Sequence, residues 1–218
     1  MRHIMQLWTV LALCLALGHS AQAADPATDR AQALRAIEHA SAQERFAGVV
    51  RLAEIGTMAD ADRLKARLRD ESEEVRFVAA AAMWQIWARS GDPGIDALYQ
   101  RGVQQMQAAQ LPQALATFSD IIRRRPAFAE GWNKRATLHY LMGNFELSLK
   151  DCDEVIKRNP NHFGALSGYG QIYLNLGDLE KALAYFERAL AVNPNLPGAE
   201  ITVRQLQQQL LEKQRKST

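Results

Sequence analysis

The sequence predicts an all-α fold, a right-handed α-α superhelical solenoid, on three observations. Pro126, Pro160 and Pro194 lie 34 residues apart, and each closes a segment of the same internal pattern. Apolar residues recur at 3- and 4-residue spacing through both halves of the chain, and nothing reads as a strand. Gly143-Asn144 and Gly177-Asp178 punctuate that pattern where one helix would turn back into the next. A unit this short cannot bury its own apolar face, so it must stack on its neighbours.

Residues 1–23 read as a cleaved signal peptide. Arg2 and His3 precede an apolar run from Leu7 to Leu17, and Ala21-Gln22-Ala23 supplies the small-x-small pattern before a new N-terminus at Ala24. The run falls short of the roughly 20 residues that span a bilayer. Cys14 would suit a lipoprotein, but Leu13 holds the place that needs a small residue. The predicted destination is the bacterial periplasm, with no stable membrane anchor after cleavage.

Residues 28–90 carry a second periodicity. Arg45-Phe46, Val49, Leu52, Ala53 and Ile55 are echoed 31 residues later by Arg76-Phe77, Ala80, Met83, Trp84 and Ile86, after a helix near 28–40. Leu64, Ala66 and Leu68 mark another amphipathic helix between them. Asp70 or Ser72 can cap the helix that follows, and Glu73 and Glu74 suit its positive end. The stretch from Leu64 through Asp70 and Val75-Arg76 to Ala80-Ala81 resembles a HEAT-type repeat. Ser90-Gly91-Asp92-Pro93-Gly94 then breaks the chain.

Residues 95–194 hold the three proline-closed units. In register they align Leu98, Trp132 and Leu166; then Gly102, Ala136 and Gly170; then Ala114, Ser148 and Ala182; then Phe118, Cys152 and Phe186; and lastly Ile121, Val155 and Ala189. A bulky residue followed by a small one lets two helices pack closely, and the later series is the facing stripe of a second helix. At these residues the sequence resembles the tetratricopeptide repeat family. The unit from Phe163 to Pro194 is the cleanest copy. The second has His139 where a tyrosine is usual and Cys152 where an aromatic is usual. The first has Gln105 at that tyrosine place, Ala109 for the turn glycine and Pro112 opening its second helix. Residues 195–218 begin no fourth unit: Ile201, Val203, Leu206, Leu210 and Leu211 predict one amphipathic capping helix and a tail.

Composition excludes several functions. The chain has a formal charge of +2, falling to +1 once Arg2 leaves, so no strong field selects nucleic acid. Cleavage would leave Cys152 alone, without a disulfide partner, in the slot of a buried residue. His39, His139 and His162 stand apart, and there is no HExxH, phosphate loop or G-x-S-x-G elbow. The expectation is a non-enzyme without metal or cofactor.

The resemblance implies that the first helix of each unit lines a concave face. By offset from the packing residue, its outward positions are Tyr99, Val103, Met106 and Gln107 in the first unit, Asn133, Thr137 and Tyr140 in the second, and Ser167, Gln171 and Asn175 in the third. These would form a neutral groove able to hold an extended peptide through side-chain amides. The carboxylate clamp of chaperone-binding members is absent: its places hold Tyr99, Val103, Lys134, Gly164 and Gly168. The expected function is a scaffold or adaptor of the cell envelope that binds a segment of an envelope protein. An accessory or regulatory subunit of an envelope enzyme or assembly complex is the alternative, and self-association stays open.

Overall fold

The structure, a computed structural model, describes residues 26–217, so the leader at 1–23 lies outside the described residues. Every regular element among them is helical. The N-terminal part comprises α1 (Pro26–Ala36), α2 (Ala42–Ile55), a 3-10 turn at Met58–Asp60, α3 (Ala61–Arg67) and α4 (Glu73–Trp87). The proline-closed units are three antiparallel pairs: α5 (Pro93–Gln107) with α6 (Leu111–Arg124), α7 (Ala129–Leu141) with α8 (Phe145–Arg158), and α9 (Phe163–Asn175) with α10 (Leu179–Val192). The last helix, α11 (Ala199–Ser217), lies on α10.

Local chemistry explains the boundaries. The Ser72 hydroxyl accepts from the Val75 amide at the start of α4, and the Asp92 carboxylate accepts from Gly94 and Ile95 at the start of α5. Gly143 and Gly177 turn the chain at φ near 76°. In the first unit Ala109 must adopt the same left-handed region, at φ 55°, as the sole non-glycine residue there among those described. In the first and third units a glycine lets an aromatic ring lie on the helix backbone, Phe118 against Gly102 and Phe186 against Gly170. In the second unit a small pair takes over: Cys152 is buried, and the Ser148 hydroxyl donates to the Ala136 carbonyl at 2.7 Å.

The N-terminal helices do not merely precede the first unit. Their core of Leu52, Leu64, Leu68, Val75, Ala79, Met83 and Ile86 also takes in Phe163 of α9, with Val192 and Leu196 packed against it. Asn195 Nδ2 donates to the Leu68 carbonyl at 2.6 Å, Arg76 Nε donates to Asn195 Oδ1, and Arg69 donates to the carbonyls of Ala191 and Val192. Trp84 and Trp87 pack with His162 and Phe163 at ring separations of 4.4–5.4 Å. Helix α4 therefore packs against the start of α9 and the segment that closes α10, far from it in the chain.

The terminal helix buries Ala199, Val203 and Leu206 against Ala182 and Phe186. The stripe read from the sequence is corrected at two places, because Ile201 and Leu211 are exposed. A helix lying on one neighbour covers a narrower arc than the five apolar positions span.

Candidate functional site

Helices α7 and α9 lie side by side and present their outward residues to one cavity of about 290 Å³. Asn133, Thr137 and Tyr140 come from α7, and Ser167 and Gln171 from α9. Asn175 closes the far end: its amide donates to the Tyr140 hydroxyl at 3.1 Å and to the Gln171 carbonyl at 2.8 Å. The floor is made of small residues, Ala136, Ser148, Gly168 and Cys152. A Cβ placed on Gly168 would meet only the Cys152 sulfur, at 3.9 Å, so the recess exists because the second unit has a thiol where an aromatic ring would stand. Burial, helped by Asp151 and Asp153, pushes the Cys152 thiol up to about 12, which keeps it protonated and inert.

The first unit's four residues are not brought to this cavity. Tyr99 is buried, packed edge-on to Phe118 and Phe128, with its hydroxyl 3.3 Å from Glu130. Val103 and Met106 pack half-buried against the same core, and Gln107 is exposed outside the cavity. The outward reading of Tyr99 is thus corrected: Phe128 and Glu130, at the start of α7, sit over it.

Glu130 is the residue that sequence reasoning missed. It is fully buried, and it accepts from His162 Nε2 at 2.6 Å, from Asn133 Nδ2 at 3.1–3.2 Å and from the Tyr99 hydroxyl, with the Lys134 ammonium at 3.9 Å. His162 Nδ1 accepts from the Ala165 amide at the start of α9, so Nε2 carries the proton and donates. Burial alone would raise the Glu130 carboxyl, but His162, Lys134 and Asn133 together hold it below its ordinary value. The network locks Asn133 in place beneath the groove, joining all three units through buried polar contacts. Its signal in the sequence was only a register position, since Asp96 and Gly164 stand at the equivalent places.

Helix α4 supplies an aromatic contact to α9 that the repeat pattern does not contain. Trp84 packs on the α9 backbone at Gly164, where a Cβ would lie 2.3 Å from the ring, and the Lys134 ammonium stands 5.7 Å from its centroid. Trp84 also borders a second cleft of about 400 Å³ between α4 and the segment joining α10 to α11, bordered by Phe77, Ala80, Ala81, Leu196 and Pro197. Phe77 there is 75% exposed. At the rear of the second unit Asp151 accepts from Arg135 Nε and Nη2 at 2.8 and 2.7 Å, and His139 fills the tyrosine place beside it. Burial lowers the His139 pKa, with Asp151 opposing, which favours neutral imidazole. Among the described residues no group of three His, Cys, Asp or Glu could hold a metal ion, and no helix is long and apolar enough to cross a membrane.

Two family models, both described as tetratricopeptide repeat, match residues 96–127 and 134–200. A TPR repeat-containing protein of Rhizobium etli is 33% identical over 150 residues, covering 68% of this chain and 74% of that one. This chain belongs to the tetratricopeptide repeat family. Among solved structures, the first TPR of Spaghetti (RPAP3) bound to the HSP90 peptide SRMEEVD matches with a TM-score of 0.52 at 22% identity, over 54% of this chain and 93% of that one. The Sgt2 TPR domain from Aspergillus fumigatus matches at a TM-score of 0.53 and 18% identity, over 58% and 85%. At these identities the likeness is one of fold: an all-helical TPR-like solenoid.

Proposed function

We propose that this TPR protein is a non-catalytic scaffold or adaptor of the bacterial cell envelope that holds a protein segment in the groove between α7 and α9. The observation that carries the reading is the cavity itself. Five of the residues assigned to the concave face, Asn133, Thr137, Tyr140, Ser167 and Gln171, border one recess with an apolar floor and amide and hydroxyl groups at its edge. That combination suits an extended segment, with backbone groups bonded to the amides and one side chain inserted at Gly168. The RPAP3 domain bound to an HSP90 peptide is a precedent for such an occupant on this fold. The clamp for an acidic C-terminus is absent here, so the segment is read as an internal, uncharged one.

The same proposal places the protein in the periplasm, delivered by cleavage before Ala24, and takes the helix pairs of residues 28–90 as a HEAT-like partner of the repeats. The neutral groove and near-neutral chain favour protein over nucleic acid.

The test is selection of peptides from a random displayed library by the purified full chain, compared with Gly168→Leu. Gly168 borders the recess, and a Cβ added there meets only the Cys152 sulfur, so the larger side chain occupies the space proposed for the segment. Peptides enriched by the wild type should lose at least tenfold in affinity for Gly168→Leu while the circular dichroism spectra coincide; equal binding by both would refute the groove. N-terminal sequencing of protein recovered from expressing bacteria should begin at Ala24.

A further inference from the structure

A third cavity, of about 300 Å³, lies where the end of α4 meets the loop before α7 and the end of α8. Its polar lining is made almost wholly of donors. Three guanidinium groups border it, Arg89, Arg125 and Arg158, and no carboxylate does. Among the described residues Arg89 and Arg125 form no ion pair. Arg89 is held by the carbonyls of Ala53 and Gly56, and Arg125 by the carbonyl of Ser90. Arg158 is paired with Glu154 on its own helix, donates to the carbonyls of Pro126 and Glu154, and lies 4.8 Å from the Trp132 ring centroid. The neighbouring Asp96 is already taken by the amide and hydroxyl of Ser90. Three cations thus converge with one counter-ion between them.

Two residues that border the same cavity each carry a buried donor without a partner. Trp87 is 3% exposed and Asn159 is 6% exposed, yet Trp87 Nε1 and Asn159 Nδ2 have no acceptor within the protein. An indole N–H can only donate, and the Asn159 Oδ1 is already engaged by the Asn161 amide, so what remains at both residues is N–H. A buried donor left unmade costs about 1–3 kcal/mol, and two of them beside three guanidinium groups call for an acceptor. Phe128 and Ala129 also border the cavity, placing it at the N-terminal end of α7, where no side chain caps the helix and the dipole favours negative charge.

We infer that this cavity is a binding site for a small organic oxyanion, a carboxylate or phosphate head on an apolar body. Its head is received by Arg125, Arg158, Trp87 Nε1 and Asn159 Nδ2, and its body lies against Met58, Ala127 and Phe128. The site straddles the junction of the N-terminal helices with the repeats, so an occupant there ties the two parts together. It is separate from the peptide groove, with which it shares no lining residue.

Thermal melts and calorimetric titration of the full chain with sodium phosphate and with sodium benzoate, each against sodium chloride at equal ionic strength, test the assignment. Saturable binding of either is expected, with the melting midpoint raised by about 5–10 °C at a hundredfold excess over Kd. A response to benzoate alone names a carboxylate ligand, and one to phosphate alone names a phosphate. Asn159→Asp keeps the acceptor used by Asn161 and supplies an internal anion. It should melt higher than the wild type in chloride and lose the response to both probes. Arg125→Gln, at an exposed position, should fold normally and weaken binding at least tenfold. Melting shifts no larger than those in chloride, or responses unchanged in both variants, would overturn the site.

Discussion

Two glycines of α9, two residues apart, face opposite environments, and replacing each by alanine should separate them. In a helix interior Gly→Ala is worth about 1 kcal/mol of stability through backbone entropy, a term common to both sites. At Gly168 nothing opposes it, because the new methyl group meets only the Cys152 sulfur at 3.9 Å. At Gly170 the methyl would lie 2.7 Å from two carbons of the ring of Phe186, a buried residue of α10 packed with Val203 and Leu206 of α11. Overpacking of this kind costs about 1–3 kcal/mol. Since the entropy term cancels, the difference between the variants isolates that cost. It corresponds to roughly 2–10 °C in melting midpoint for a chain of this length. Calorimetry and guanidinium unfolding followed by circular dichroism measure it, with Gly168→Ala expected above the wild type and Gly170→Ala below Gly168→Ala. A Gly170→Ala protein as stable as Gly168→Ala would refute the account of ring-on-backbone packing in these units.

Two other outcomes follow from the same structure. Ala109 sits at φ 55° where the other two units have glycine, so Ala109→Gly should raise stability by about 1 kcal/mol in guanidinium unfolding, whereas Gly143→Ala should lower it by a similar amount. The Glu130 carboxyl is held below its ordinary 4.5 in the folded state, so the unfolded chain binds the proton more readily. That contribution is complete above about pH 4.5 and is lost as pH falls through the lower folded value. Glu130→Gln should therefore flatten the acid limb of stability against pH below 4.5, while also costing about 1–3 kcal/mol at neutral pH. An acid limb identical to the wild type would show that Glu130 is not the buried carboxylate responsible.

Much of the repeat half was legible because its physics is local. Periodic spacing placed α5 to α10, and the register that aligned Ala136 with Gly170 also put Asn133, Thr137, Ser167 and Gln171 on facing helices. Where a repeat departs from its neighbours, the same register misleads. Tyr99 occupies an outward position by offset, but Phe128 and Glu130 cover it, and an aromatic ring there is better buried than left in a groove. Ile201 and Leu211 fail for a similar reason, since periodicity counts apolar positions and only the partner surface decides how wide an arc is covered.

The sequence by itself determined the helical units, their turns, the small packing positions and the family, because each rests on residues within one 34-residue repeat. Only the tertiary structure decided that α4 folds back onto Phe163, that Glu130 gathers Tyr99, Asn133 and His162, and that Arg89, Trp87, Arg125 and Asn159 enclose one cavity. Most of those contacts join residues about one repeat or more apart in the chain, from different helices. Spacing places a side chain on a face of its own helix, and only the packing of one helix on another decides what that face meets.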